Sequence, residues 1–207
     1  KAPRAINQSS SELPLKEVKG VGIIGVDKLS QFLKIPVEMT TKTLIFENEK
    51  KEIIAAAVRG DYEISTDKLK KIIGCAKLEL ASQKTVKKVT GADIGYAGII
   101  NLSKNVKLFF DESLLERKNF ECGSNKTNYH SINVNFGRDI PNPKEFYDFK
   151  IAKSGDLYPE TNEVYKVFKA CEVGNIFPLN TKFAQAFNYK YTSREGRQKI
   201  VYMGSYG

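Results

Sequence analysis

The stretch Thr41–Asp61, TKTLIFENEKKEIIAAAVRGD, decides how the rest of the chain is read. TKTLIFE and KEIIAAAVRGD read as two β-strands, the second apolar enough to be buried on both faces and closed by Gly60-Asp61. On the N-terminal side, DKLSQFLKIP has Asp27 as an N-cap, Leu29, Phe32 and Leu33 on one face, and Pro36 as a stop, which predicts a short helix. On the C-terminal side, STDKLKKIIG and SQKTVKKVTG each begin on a serine and end on a glycine, Gly74 and Gly91, as helices do. AKLELA, between them, reads as a strand.

Farther along, GADIGYAGIINL is punctuated by glycine and followed by the apolar strand NVKLFF, so it reads as a loop packed close against something. DESLLERK reads as a helical turn, and NFEC and HSINVNF as strands around a GSNKTN turn. The chain is then irregular up to EVYKVFKACEVGNIFPL. NYKYTSREGRQKIVYM alternates with a period of two around Glu195-Gly196, a hairpin signature. Residues 1–20 are polar and read as a linker, and no internal repeat is evident. The fold class is α+β with mixed strands.

The 207 residues, 41% of them hydrophobic, suffice for one sizeable domain with or without an appendage. No run approaches the roughly 18 apolar residues of a membrane span. The start KAPRAINQSSSELPL has no apolar signal core, so no membrane partner is expected and a cytoplasmic location is. Cys75, Cys122 and Cys171 are far apart and unpaired in pattern, which argues for ordinary thiols. A net charge of +9 favours a polyanionic partner, against the plainer reading of a solvated lysine-rich surface.

One histidine, His130, excludes a His/Cys zinc site by spacing. No serine sits in a G-x-S-x-G elbow, and no Walker A pattern is present. What remains is a scattered trio: Lys42 at the start of a strand, Asp111 at the end of KLFF, and His130. Each has a plain alternative. Lys42 reads equally as a solvated strand-edge lysine, Asp111 as the N-cap of ESLLER, and His130 as a structural hydrogen-bonding residue.

The order of TTKTLIF, AAAVRGDYEIS, KLELAS, TGADIGYAGIINL, FFDES, NFECGSNKTNYHSINVNFGRD, CEVGNIFPLNTKFAQAF and MGSYG strongly resembles bacterial-type prolyl-tRNA synthetase over nearly the whole chain. The resemblance implies a linker at 1–20, the inserted editing (aminoacyl-tRNA deacylase) domain at 21–170, and a segment of the class II catalytic core at 171–207. For the editing domain it implies a mixed, barrel-like sheet core with short helices, and for the core segment a hairpin. The implied activity is metal-independent hydrolysis of alanine from mischarged Ala-tRNA(Pro). The tRNA acceptor end and the remainder of a parent synthetase, itself a homodimer, are the implied partners. No cofactor is implied, ATP and Mg serving only the intact parent.

Carried over by position, the lysine of the family's KT motif falls on Lys42, the aspartate after the apolar strand on Asp111, and the histidine after the GAN motif on His130. That motif here reads Gly123-Ser124-Asn125. Backbone N–H groups between Gly95 and Gly98 are implied to line the carbonyl site, and Val26 and Leu29 to face the small amino acid. The chain departs from the family at Ile99, where the glycine loop usually ends in proline, and at Gly20-Val21, where threonine-proline is usual. Asn175 and Ser205 replace a histidine and a cysteine common in the core. The chain stops at Gly207, before the arginine of the last class motif, so the expectation is that it does not aminoacylate. A non-catalytic tRNA-binding or spacer module, and a deacylase for Cys-tRNA(Pro), are the alternatives.

Overall fold

The computed structural model describes residues 1–3 and 10–207. The expected linker falls partly on residues 4–9, outside that description. The chain divides into two units, residues 1–166 and 167–207.

In the first unit, strand β1 is Lys16–Lys19, helix α1 Val26–Leu33, β2 Thr41–Asn48 and β3 Ile53–Arg59. Helix α2 is Thr66–Ile73, β4 Leu78–Leu80, α3 Gln83–Thr90, β5 Val106–Phe110, β6 Phe120–Gly123 and β7 Tyr129–Val134. Two sheets result. One has the order β4-β2-β3-β5, with β5 parallel to β3 and the other pairs antiparallel; the other is antiparallel with the order β1-β7-β6. Both are open among the described residues, so the barrel-like closure expected from the sequence is corrected to two separate small sheets. β1, inside the segment expected to be linker, is an edge strand pairing with β7 from Lys16↔Ile132 to Lys19↔Tyr129.

β3 carries the core on both faces, as its unbroken apolar run predicts. Ile54, Ala56 and Val58 pack with Phe46, Tyr62, Leu69 and Phe149. From the other face, Ala55 packs with Ile45, Val86 and Val106, and Ala57 with Ile99, Phe110 and Phe120. The helices start and stop for local reasons. The Ser65 and Ser82 hydroxyls accept from Lys68 N (3.4 Å) and Thr85 N (3.2 Å), and Gly74 and Gly91 take left-handed φ of 73° and 83°. α1 begins one residue earlier than its expected cap: Gly25 holds the cap position and Asp27 lies in the first turn, where its charge opposes the positive end of the helix.

The loop Ala92–Leu102 packs against β6 as its glycines suggest. A Cβ placed on Gly98 would lie 1.6 Å from the Gly123 carbonyl oxygen, so backbone touches backbone there.

In the second unit, β8 (Ile176–Asn180) pairs antiparallel with β11 (Met203–Tyr206), and helix α4 spans Lys182–Ala186. β9 (Lys190–Thr192) and β10 (Gln198–Ile200) form the expected hairpin. Its turn is closed by Ser193 N donating to Arg197 O at 2.8 Å, with Gly196 at φ 74°.

Two glycines separate steric need from backbone freedom. Gly98→Ala should lower unfolding free energy by about 3 kcal/mol through overpacking. Gly74→Ala, at positive φ but with nothing within 4 Å, should lower it by only about 1 kcal/mol. Urea titration measures both, and equal losses would contradict the close approach at Gly98.

Candidate active site

A cavity of about 350 Å³ opens along the edge of β2. β4 covers that strand only at Phe46–Asn48, so among the described residues no strand pairs with its first half on this side. The ladder shows which groups point outward. Thr40 O accepts from Gly60 N at 2.9 Å and Asn48 N donates to Glu52 O at 3.2 Å, so even-numbered residues face β3 and odd-numbered ones face the open edge. Of these, Thr41 N donates to Glu121 Oε2 (3.2 Å) and Ile45 O accepts from Ala81 N (2.9 Å). Thr43 lies between them with no partner for its outward N–H and C=O among the described residues, and its buried Oγ1 also lacks one. Residues of both strand faces reach the cavity around this edge: Thr41, Thr43 and Ile45 on one side, Lys42 and Leu44 on the other.

The wall is apolar, from Ile24, Val26, Leu29, Leu80, Val86 and Ile94, and its polar residues are few: Thr41, Lys42, Thr43, Glu121 and His130. Glu121 and His130 are almost wholly buried, at 1% and 2% exposure. His130 Nδ1 lies 3.1 Å from Glu121 Oε1, and Nε2 lies 3.1 Å from the Ile23 carbonyl oxygen. Since a carbonyl only accepts, Nε2 carries a proton in this arrangement. Burial pushes the Glu121 carboxyl above its ordinary range, against the opposing pull of the hydrogen bond from His130. Behind it, Arg117 donates to Thr41 Oγ1 (3.1 Å), Glu38 O (3.0 Å) and Thr40 O (3.1 Å). Burial, and next the charge of Arg59, push the Arg117 guanidinium down to about 9, still cationic at neutral pH.

Of the residues singled out from the sequence, Lys42, His130, Gly95, Gly123, Val26 and Leu29 all line this cavity. The Lys42 ammonium is turned to the far side of the strand, donating to Tyr62 O at 2.9 Å and pairing with the Glu63 carboxylate. Gly95 admits Ile24 so closely that a Cβ would sit 2.6 Å from it. Gly98 does not line the cavity. Its N–H is taken by Asn125 Oδ1 at 2.8 Å, so it is not free to bind a carbonyl oxygen as expected. Asn125 serves the loop instead, and Ser124 bonds Ser131 Oγ at 2.8 Å. Neither lines the cavity.

Asp111 lies elsewhere. Completely buried, it accepts from Ser113 N through Oδ1 (2.9 Å) and from Phe149 N and Lys150 N through Oδ2 (2.8 Å each), capping the turn Glu112–Leu114 and tying down the segment around Phe149. This is the capping role its position before ESLLER suggests. Sequence reasoning missed Glu121, Thr43 and Arg117; the one signal was a carboxylate set between Phe120 and Cys122 in an otherwise apolar strand, nine positions before the sole histidine. Among the described residues, no group of three or more His, Cys, Asp or Glu is arranged to hold a metal, and no helix is long and apolar enough to cross a membrane.

The chain that builds this cavity belongs to the aminoacyl-tRNA editing domain family, whose model matches residues 22–140. More particularly, the whole chain is 39% identical over 211 residues to the proline–tRNA ligase of Thermoanaerobacter sp. (strain X514). It is 33% identical over 205 residues to that of Aquifex aeolicus (strain VF5), with 99% of the chain aligned. It spans 37% and 36% of the lengths of these two relatives. In fold it is similar to the crystal structure of a proposed trans-editing enzyme for prolyl tRNA synthetase. The TM-score is 0.55 and identity 20%, covering 67% of this chain and 87% of the other.

If Asp111 is a structural staple, Asp111→Asn should lower unfolding free energy by about 2–3 kcal/mol, because the amide nitrogen is forced against backbone donors. Thermal or urea unfolding checks this; a change below about 0.5 kcal/mol would contradict it.

Proposed function

We propose that this chain removes alanine from mischarged tRNA(Pro), hydrolysing the ester at the tRNA 3′ end with a positioned water or the adjacent ribose hydroxyl. The observation that carries the reading is the open edge of β2 inside an apolar cavity, where a small side chain can be buried beside unspent hydrogen-bonding groups. An aminoacyl ester is already activated, so its hydrolysis requires orientation and stabilisation of the oxyanion more than a strong nucleophile, and needs no metal. The outward Thr43 N–H takes the role of carbonyl-oxygen donor that the resemblance implies for the glycine loop. Val26 and Leu29 bound the side of the cavity that receives the amino acid.

Lys42 holds the RNA end. Its counter-ion Glu63 has a 70% exposed side chain, so a phosphate approaching from solvent can replace it. A second pocket is useful because alanine is smaller than proline, and each missing methylene is worth only about 1–3 kcal/mol of discrimination in a synthetic site. The tRNA acceptor end and the remaining parts of a synthetase, itself a homodimer, are the partners in this reading. ATP and Mg serve only that larger enzyme. The location is cytoplasmic.

A second reading, a tRNA-binding module without catalysis, draws on two observations: the Lys42 ammonium is already paired and the Gly98 N–H is already used. Release of labelled amino acid from Ala-tRNA(Pro), Pro-tRNA(Pro) and Cys-tRNA(Pro) distinguishes them. The expected result is release of alanine with the prolyl ester spared, falling roughly 100-fold in Lys42→Ala. Undiminished release by Lys42→Ala would contradict its role. Binding without release of any amino acid would favour the module, and release of cysteine alone would change the substrate.

A further inference from the structure

Glu121 plays no part in the reaction outlined above, yet it is a buried carboxylate in the cavity wall, and both its oxygens are committed: Oε2 to Thr41 N, Oε1 to His130 Nδ1. The other imidazole nitrogen faces the Ile23 carbonyl, in the segment Gly20–Gly25 that leads into α1. That segment supplies Ile24 and Gly25 to the cavity and delivers Val26 next to them.

The same segment is held from a second side. Gly22 N donates to the Tyr96 hydroxyl at 2.9 Å, that hydroxyl lies 3.2 Å from Gly20 O, and the Tyr96 and His130 rings are 5.4 Å apart. The imidazole is therefore clamped between a carboxylate and a main-chain carbonyl, both its nitrogens are occupied, and neither is offered to a substrate or a water.

We propose that Glu121 is a specificity-determining positioning residue: by fixing the His130 ring it holds the Ile23 carbonyl, and through it sets how far the Ile24–Val26 wall stands from the open edge of β2. This rests on the hydrolytic reading above. His130 in this arrangement is a post for the wall, not a general base. Either distribution of the shared proton, imidazolium with carboxylate or imidazole with carboxylic acid, keeps Nε2–H pointed at Ile23 O. The wall is thus held without a free charge facing the amino acid. Arg117 fastens the same Thr41 whose N–H donates to Glu121, through the Thr41 hydroxyl.

The test uses the whole chain with Glu121→Val, which leaves Nδ1 unpartnered, and Glu121→Gln, whose amide can donate to Nδ1 while its oxygen accepts from Thr41. Hydrolysis of Ala-tRNA(Pro) and Pro-tRNA(Pro) is measured for each. Glu121→Val should reduce the alanyl-over-prolyl preference at least tenfold while alanyl turnover changes less than threefold, and Glu121→Gln should keep the preference within threefold. Because the chain has one histidine, its imidazole nitrogens are read by NMR without ambiguity. The wild type should show a slowly exchanging Nε2–H, lost in Glu121→Val.

An unchanged preference in a folded Glu121→Val overturns the proposal, as does an equal loss of both hydrolyses. So does a freely exchanging Nε2–H in the wild type, which decides the matter even where the valine variant fails to fold. Hydrolysis of neither ester by the wild type overturns the hydrolytic reading and the specificity role with it, leaving the clamp itself to be judged by the imidazole signal.

Discussion

The contact between Gly98 and Gly123 is the constraint on which the cavity depends. Two backbones meet with no side chain between them, which brings the glycine loop directly onto β6. That contact fixes Gly95 and Ala97 on one side of the cavity relative to Gly123, Glu121 and His130 on the other. Asn125 reinforces it, accepting from Gly98 N and donating to Gly98 O at 3.2 Å. The loop therefore acts as a spacer of defined thickness. Its third residue after Gly95 is spent on structure, its N–H being bonded to Asn125.

That edge exists because β4 is short. Had β4 run the length of β2, Thr43 would be paired and the cavity filled by a strand. Instead only Thr41 N and Ile45 O are met, by Glu121 and Ala81, and among the described residues the gap runs from the Thr41 C=O through Thr43 to the Ile45 N–H. An exposed edge is usually a hazard for aggregation. Here it is enclosed by the Gly20–Gly25 segment and α1, so it is sheltered from other chains while open to a small group.

The local features were legible in the sequence because they are local. Ser65 and Gly74, Ser82 and Gly91 mark helix ends by chemistry contained within each helix, and the apolar run Ile53–Val58 announces a strand buried on both faces. β1 was illegible because KEVK is an edge strand with mostly solvated side chains, so no alternation is demanded of it. The resemblance to prolyl-tRNA synthetases picked out Lys42 and His130, both at the cavity, and also Asp111, which does not line it and whose carboxylate is committed to Phe149 N and Lys150 N, almost forty residues away in sequence. Glu121 escaped notice for the converse reason. Its meaning depends on Thr41, Ile23 and Arg117, which only the assembled sheets bring together.

The central claim, that the aminoacyl ester lies along the open edge of β2, is tested most directly by NMR titration with a 3′-alanylamido-3′-deoxyadenosine, an amide that cannot be hydrolysed as the ester is. The account predicts the largest amide shift changes at Thr43, with smaller ones at Ile24, Val26 and Gly95. Changes confined to residues outside this cavity, or none at millimolar ligand, would contradict it.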